Sequence, residues 1–325
     1  MTQVQLICVQ EKDNDIRLDR WFQRHYPDLK HGMLERLIKN KNIKLNKQKT
    51  AASAHVHTGD EIRIPPLEVK EKENTPLNLS KKEIQMMQKM VIYKDNEILI
   101  LNKPAGLAVQ GGTKTTKHID GLLDALRFEK DEKPHLVHRL DKETSGVLVL
   151  ARSANIAAKI TADFKTRLVK KAYWAVVSGK PALPSGKIDA PLTKGKEKVS
   201  VDFEEGDKAM SVYEIIDNAG KKASWLALSP LTGRTHQLRV HLTEILKTPI
   251  LGDTKYGKKE LAGMGQGLHL HARAIEIKNP KTGKKIQAIA ELPPHMKETF
   301  QLFGFDEKTI KNPLDFLQKE KKCSV

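Results

Sequence analysis

One stretch of the chain sets a carboxylate beside an arginine just before an apolar run: His138-Arg139-Leu140-Asp141-Lys142-Glu143-Thr144-Ser145-Gly146. Residues 147–151, Val-Leu-Val-Leu-Ala, are short, β-branched and leucine-rich, which is typical of a buried strand. The residues Thr144-Ser145-Gly146 favour a turn. We therefore expect Asp141 on a loop that a rigid strand holds, where catalytic carboxylates are common. Spacing alone is equally compatible with an ordinary surface Arg–Asp pair.

Further segments place polar residues beside short apolar strands: Asn102-Lys103-Pro104-Ala105-Gly106, Lys171-Ala172-Tyr173-Trp174-Ala175, Gly233-Arg234-Thr235-His236-Gln237-Leu238-Arg239-Val240-His241, Gly252-Asp253-Thr254-Lys255-Tyr256-Gly257 and Leu268-His269-Leu270-His271-Ala272. Together with the first stretch, these segments resemble the motifs of the RluA-type pseudouridine synthases, in the same order and at matching distances. The resemblance covers residues 91–294. It implies that Asp141 is the essential catalytic residue and that the fold is α+β.

The resemblance also implies a reaction. Pseudouridine formation breaks the N1–C1′ bond of a uridine in RNA, turns the uracil and rejoins it through C5. A stacked base hides this bond, so the target nucleotide must flip into a pocket. Asp141 would begin the reaction either as a nucleophile on the ribose or by assisting departure of uracil and removal of a ribose proton. The sequence leaves both routes open, and neither requires a metal or a cofactor.

Four further residues acquire roles from the resemblance. Tyr173 would stack on the flipped base and assist proton transfer at C5, and Arg239 would keep Asp141 ionised as its partner cation. Arg139 would occupy the space that the flipped base leaves, and Lys171 would contact a phosphate or the base. Taken alone, Tyr173 is typical of a core aromatic and Arg239 of a surface arginine.

Composition favours a nucleic-acid partner. The formal net charge is +17 with a pI near 9.6, and lysine and arginine gain affinity by displacing counterions from phosphates. A basic surface can also serve membrane binding or solubility, but no amphipathic or lipidated anchor and no span of ~20 apolar residues is evident. Two distant cysteines, Cys8 and Cys323, and no evident secretory signal predict a cytoplasmic protein. A monomer is the default expectation.

The histidines raise the question of a metal site: His135 with His138, His236 with His241, and His269 with His271. Zinc sites usually add cysteines or carboxylates at a defined spacing, and no such set converges here. We therefore predict no metal, and expect His236 and His241 to support the arginine loop by hydrogen bonds.

The chain divides into four predicted parts. Residues 13–66 combine two helical patterns with short alternating strands and resemble an S4 RNA-binding domain, although a basic accessory fold without RNA contact has the same outline. Residues 67–90 contain prolines and alternating charges typical of a linker, followed by a short helix. Residues 91–300 predict an α+β catalytic domain around a largely antiparallel mixed sheet flanked by helices and loops. Residues 301–325 form a C-terminal tail.

An RNA pseudouridine synthase is thus the leading functional hypothesis, most similar to the bacterial RluC/RluD branch that acts on large-subunit (23S) ribosomal RNA. A synthase acting on transfer RNA stays open. So does a non-catalytic RNA-binding or ribosome-assembly factor, although the presence of Asp141, Tyr173 and Arg239 argues against it. A nucleoside hydrolase would leave the basic surface unexplained, and Glu143 is interpreted as a solvated charge rather than a second catalytic acid.

Overall fold

The computed structural model describes residues 4–26, 29, 31–67, 79–111, 117–195, 197–257 and 267–319. The chain forms two compact units, Met1–Thr75 and Pro76–Val325. Among the described residues, no helix combines the length and the apolar character needed to cross a bilayer.

The first unit is a small mixed fold with its own core. Its strands are β1 (Gln5–Cys8), β2 (Ile16–Arg17), β3 (Lys44–Leu45), β4 (His55–Val56) and β5 (Glu61–Ile64), and its helices are α1 (Leu18–His25) and α2 (His31–Lys39). Strands β1, β5 and β3 form an antiparallel sheet. The apolar spacing that predicted α1 buries Leu18, Trp21 and Phe22 in this core, together with Leu34 of α2. Both predicted helices are therefore present.

The second unit is built on one large sheet. Its order is β11-β14-β15-β10-β16-β9-β7-β6, with β17 beside β16 and β8 beside β9. The pair β16–β9 is parallel and the other neighbours are antiparallel, so the prediction of a largely antiparallel α+β fold is confirmed. A separate hairpin joins β12 and β13. The strands are β6 (Val91–Lys94), β7 (Ile98–Lys103), β8 (His135–Leu136), β9 (Ser145–Ala151), β10 (Lys170–Ser178), β11 (Ser185–Asp189), β12 (Leu192–Lys194), β13 (Val199–Val201), β14 (Met210–Ala219), β15 (Ala223–Pro230), β16 (Leu270–Lys278) and β17 (Lys285–Ile289).

Helices cover parts of this sheet. They are α3 (Lys81–Lys89), α4 (Ala154–Lys165), α5 (Gln237–Val240), α6 (Pro294–Phe303) and α7 (Phe316–Lys319), with 3-10 helices Asp120–Leu126 and Glu307–Thr309 and a π-helical turn His241–Ile245. Strand β9 is buried along its whole length, as its unbroken apolar run predicts. The strand that follows the candidate catalytic loop is thus a rigid support.

Both ends of the second unit are ordered and pack into its core. Within the range 67–90, the short helix predicted after the linker is present as α3, which begins at a capping box formed by Ser80 and Glu83, and Met87 is fully buried in the core. Beyond residue 300, Phe305, Leu314 and Phe316 pack into the cluster around Trp174 and Trp225. The range 301–325, predicted as a tail, therefore contributes core side chains as far as α7.

Candidate active site

Asp141 lies on the loop between β8 and β9, and a buried lysine holds this loop in place. The Thr144 N–H donates to the Asp141 carbonyl at 3.2 Å, which closes the turn. Lys103 at the end of β7 is fully buried, and its Nζ donates to three carbonyls, those of Pro104, Leu107 and Lys142, at 2.8–3.0 Å. Burial lowers the pKa of Lys103 to about 8, whereas Glu143 and Asp141 act to raise it. Because three acceptors surround one nitrogen, the ammonium form satisfies the site best.

A glycine is required where this loop enters the sheet. Gly146 has φ +107°, and a Cβ there would lie 2.2 Å from the carbonyl oxygen of Ala272. Only glycine allows β9 to approach β16 this closely, since β9 and β16 pair in parallel at Ser145 and Gly146. The sequence Thr-Ser-Gly thus ends the loop and sets its distance from β16.

Asp141 faces a cavity of about 520 Å³. Its side chain is 22% exposed, so water and a ligand can reach it. The volume falls within the range of small-ligand sites. The lining comes from the Asp141 loop, the end of α4, strand β10 and the segment from Pro230 to Arg239, and it includes Arg139, Asp141, Lys171, Tyr173, His236 and Arg239. The structure therefore brings together the five site residues predicted from the sequence, which are all of these except His236.

Arg239 is held mainly by a carboxylate other than Asp141. Its Nε and Nη2 donate to the two oxygens of Asp253 at 2.8 and 2.7 Å, whereas its Nη1 lies 3.9 Å from Oδ2 of Asp141. The Asp253 side chain is fully buried, and it also accepts the N–H groups of Lys255 and Tyr256 at 3.0 Å. Burial alone would raise the pKa of Asp253, but the Arg239 hydrogen bonds and charge lower it overall. Asp253 is therefore an ionised anchor for the arginine.

A second glycine allows this anchor to form. Gly252 has φ +71°, and a Cβ there would lie 1.9 Å from the carbonyl oxygen of Gly267. The backbone can therefore turn sharply just before Asp253. This accounts for the Gly-Asp pair in the segment Gly252-Asp253-Thr254-Lys255-Tyr256-Gly257, to which the sequence reasoning gave no role.

Gln237 and His241 fold the arginine segment after β15. The buried Gln237 accepts from the Thr232 hydroxyl at 2.6 Å and the Arg234 N–H at 3.1 Å, and it donates to the carbonyl of Met210 and to Ser211. His241 lies 3.0 Å from the Ser211 hydroxyl and 2.9 Å from the Ala190 carbonyl. The expected support of this segment by His241 is present. The segment forms the four-residue α5 followed by a π-helical turn.

His236 also approaches Asp141, which was not predicted. Its Nε2 lies 3.9 Å from Oδ2 of Asp141, and its Nδ1 lies 2.7 Å from the Tyr256 hydroxyl. Burial lowers the pKa of His236, while the charge of Asp141 acts to raise it. The ring is therefore neutral at neutral pH. A short polar chain thus runs from Tyr256 through His236 to Asp141.

Tyr173 and Lys171 point from β10 into the cavity. Burial raises the pKa of Tyr173, with a smaller effect from the charge of Asp141, so the phenol keeps its proton. Within the described part of the chain, no hydrogen bond engages its hydroxyl. Lys171 lies with Nζ 5.8 Å above the Phe164 ring and has no ion pair in that same set of residues, and burial lowers its pKa to about 8. Both polar groups are available to a ligand.

Arg139 and His138 differ although they are adjacent. Arg139 is exposed at the cavity and makes no ion pair to any described residue. The ring of His138 stacks on Phe164 at 4.5 Å, and its Nε2 accepts the N–H of Val149 at 2.9 Å. Removal from water lowers the pKa of His138 to about 3, so it is a neutral structural residue.

Among the residues that the structure describes, no three His, Cys, Asp or Glu side chains form a metal-binding group.

Comparison with known proteins identifies the family of this chain. Residues 97–244 match the family model for RNA pseudouridylate synthase. The chain is 38% identical over 291 residues to the ribosomal large subunit pseudouridine synthase C of Rickettsia conorii, covering 85% of this chain and 94% of that protein. It is 32% identical to the protein of the same name from Vibrio cholerae, covering 91% and 96%.

Two solved structures share the fold of this chain over about two thirds of its length. Human RNA pseudouridylate synthase domain containing 4 superposes with a TM-score of 0.58 at 28% identity, covering 68% of this chain and 95% of that one. Human RNA pseudouridylate synthase domain containing 1 gives a TM-score of 0.52 at 23% identity, which bears on the fold alone. The chain is more than 30% identical, over most of its length, to the synthases of Rickettsia conorii and Vibrio cholerae. It therefore belongs to the RluA-type family of RNA pseudouridine synthases and is an isomerase.

Proposed function

We propose that this protein isomerises uridines of large-subunit ribosomal RNA to pseudouridine, with Asp141 as the carboxylate that acts at the ribose. The observation that carries the proposal is the position of Asp141, partly exposed in a 520 Å³ cavity with a buried arginine 3.9 Å from one oxygen. The relatives from Rickettsia conorii and Vibrio cholerae, both named ribosomal large subunit pseudouridine synthase C, support the substrate class.

In this proposal the target uridine leaves its stack before it reacts. A base within a helix cannot bring C1′ to a side chain that lines a cavity, so the nucleotide rotates outward into the site. Arg139 suits the gap that remains, because its guanidinium is exposed, planar and free of an ion pair within the described residues. It would stack on the neighbouring bases.

Tyr173 and Lys171 would bind the flipped nucleotide. The Tyr173 ring offers a face to the uracil, and its hydroxyl, kept protonated by burial, is placed to assist proton transfer at C5. Lys171 is a cation without a protein partner among the described residues, and an RNA phosphate or a uracil carbonyl would supply one. A bound phosphate would also raise the lowered pKa of Lys171.

Release of tritium tests the reaction directly. RNA transcribed with uridine tritiated at C5 loses the label to water when C5 bonds to C1′ and its hydrogen departs. We expect the wild-type protein to release tritium and Asp141→Asn to release none. Glu143→Gln, which changes an exposed carboxylate two residues away, should match the wild type. Comparable release by Asp141→Asn would refute the assigned role.

The same assay separates the alternative functions. A nucleoside hydrolase would yield labelled free uracil, which chromatography distinguishes from labelled water. A non-catalytic RNA-binding factor would bind the transcript without any release. Neither tritium nor uracil would then appear with the wild-type protein.

The RNA target requires an experiment in cells. In total RNA from cells lacking the protein, a pseudouridine-specific reverse-transcription stop should disappear from 23S ribosomal RNA. Wild-type protein should restore this stop, and Asp141→Asn should not. Loss of a stop in transfer RNA instead would assign the alternative substrate. We also propose that the enzyme acts in the cytoplasm, as a monomer without a metal.

The first unit, residues 13–66 as predicted, would bind RNA in the manner of an S4 domain. Lys41 and Lys47 are exposed at turns with φ +60° and +65°, conformations that asparagine also tolerates. The double variant Lys41→Asn/Lys47→Asn should therefore fold normally. We expect weaker RNA binding and a smaller dependence of affinity on salt, by roughly one counterion per lost phosphate contact. An unchanged affinity and salt slope would favour an accessory fold.

A further inference from the structure

Two nitrogen donors approach the same oxygen of the catalytic carboxylate. Nε2 of His236 and Nη1 of Arg239 each lie 3.9 Å from Oδ2 of Asp141. Among the described residues, no hydrogen bond is donated to either side-chain oxygen of Asp141. Oδ2 is therefore the oxygen that both nitrogen donors approach.

The ring of His236 has a defined orientation because both of its nitrogens are accounted for. The Val199 N–H donates to the Tyr256 hydroxyl oxygen at 3.1 Å, and that hydroxyl lies 2.7 Å from Nδ1 of His236. Since Tyr256 already accepts from Val199, its own O–H is the proton best placed to donate to Nδ1. A neutral imidazole that accepts at Nδ1 carries its proton on Nε2. That proton faces Asp141.

The backbone conformation of His236 also points to a role for its side chain in the cavity. His236 has φ 54° and ψ 17°, a left-handed conformation that costs energy for most side chains and that histidine and asparagine adopt more readily. The buried Gln237 that follows fixes the segment through its hydrogen bonds to Met210 and Ser211. These hydrogen bonds hold His236 in its strained conformation. In this conformation its ring lines the cavity.

We propose that His236, with its tautomer set by Tyr256, is a positioning residue that holds Oδ2 of Asp141 and so turns Oδ1 to the ribose. The inference rests on the proposed role of Asp141. A separation of 3.9 Å exceeds a hydrogen bond by about 1 Å, so the contact closes when substrate fills the cavity. His236 and Arg239 then share one oxygen, and the other stays free to react.

Two substitutions of His236 separate this role from a purely structural one. Asparagine suits the left-handed backbone and can still reach Tyr256, but it is too short to present a donor at the Nε2 position. Glutamine presents an N–H near that position and loses the contact to Tyr256. We expect His236→Asn to lower the single-turnover rate at saturating RNA by about 10–100-fold. His236→Gln should stay within about fivefold of the wild type, and neither should change RNA affinity more than twofold.

The control variant is His135→Gln, which changes a partly exposed histidine paired with Glu132 outside the cavity lining. It should react at the wild-type rate. A structural role predicts the opposite order, with asparagine better tolerated than glutamine. Equal rates for His236→Asn and the wild type, or a lower rate for glutamine than for asparagine, would overturn the proposal.

Nuclear magnetic resonance of protein with ¹⁵N-labelled histidine tests the tautomer. At pH 7.5 the wild type should show His236 protonated at Nε2 and unprotonated at Nδ1, and Tyr256→Phe should disturb this pattern. A wild-type proton on Nδ1 would contradict the proposal. Asp141→Asn is assayed in parallel, because full activity there would refute the proposed catalytic role, whereas an inactive Asp141→Asn with a normal His236→Asn refutes only the positioning role.

Discussion

Substitution of Asp253 by asparagine tests how the active-site arginine is held. The change removes the charge that balances Arg239 and replaces one acceptor oxygen with an amide nitrogen. Arg239 is 6% exposed and Asp253 is fully buried, so solvent cannot replace the lost partner. Breaking a buried ion pair from one side costs about 3–5 kcal/mol. We therefore expect the free energy of unfolding to fall by that amount.

The effect on catalysis should exceed the effect on RNA binding. Without Asp253, the guanidinium moves toward Asp141, the remaining carboxylate, which lies 3.9 Å from Nη1. A displacement of about 1 Å at a reacting group can cost on the order of 100-fold in rate. We expect a single-turnover rate reduced by about that factor, with RNA affinity nearly unchanged. Urea unfolding and single-turnover tritium release measure the two effects.

The matched control is Asp124→Asn, which breaks a surface pair with Arg127, 2.7 Å apart and partly exposed. Such pairs contribute about 0–1 kcal/mol.

The pH dependence of stability adds a second check. Because folding lowers the pKa of Asp253, its stabilisation is present above the unfolded value of 3.8 and disappears as pH falls through the folded value. The stability difference between wild type and Asp253→Asn should be constant from pH 7 to 5. A difference below 1 kcal/mol, or one that vanishes in that interval, would refute the reasoning.

Three further substitutions have defined outcomes. Arg239→Lys should lose most turnover in the tritium assay, because an ammonium cannot reproduce the two-point contact with Asp253 while facing Asp141; near-normal turnover would contradict this role. Tyr173→Phe keeps the ring and removes the hydroxyl, so we expect normal RNA binding with a reduced rate, and an intact rate would leave only stacking. Lys103→Met removes the lysine donor from the carbonyls of Pro104 and Leu107, and leaves the Lys142 carbonyl with only the Gly106 N–H. It should lower the free energy of unfolding by about 2–4 kcal/mol, measured in urea; a change below 1 kcal/mol would show that the lysine contributes little.

Local patterns in the sequence were sufficient to predict the loop that carries Asp141. The apolar run 147–151 is buried along its length, and the turn residues before it form the turn that carries Asp141. Tyr173 likewise lies on its predicted strand. These features depend on side-chain periodicity and turn chemistry, which neighbouring residues determine.

Contacts between segments that are distant in the chain could not be predicted from local patterns. The sequence paired Arg239 with Asp141, but the close partner is Asp253, which a turn brings back to α5. His236 was expected to support its own segment, and it also faces Asp141. Each case depends on packing between segments that no local pattern specifies.

Asp253 and Asp141 contact Arg239 in different ways, and this difference bears on the proposed reaction. A guanidinium bound to Asp141 in the two-point manner would occupy both of its oxygens and stabilise the unreactive carboxylate. Asp253 takes that geometry instead, and Arg239 approaches only Oδ2 of Asp141. Asp141 therefore lies next to a positive charge, while Oδ1 accepts no protein hydrogen bond among the described residues. The buried pair thus orients a cation toward Asp141 and leaves one carboxylate oxygen open, which is the geometry that the proposed action of a single oxygen at the ribose requires.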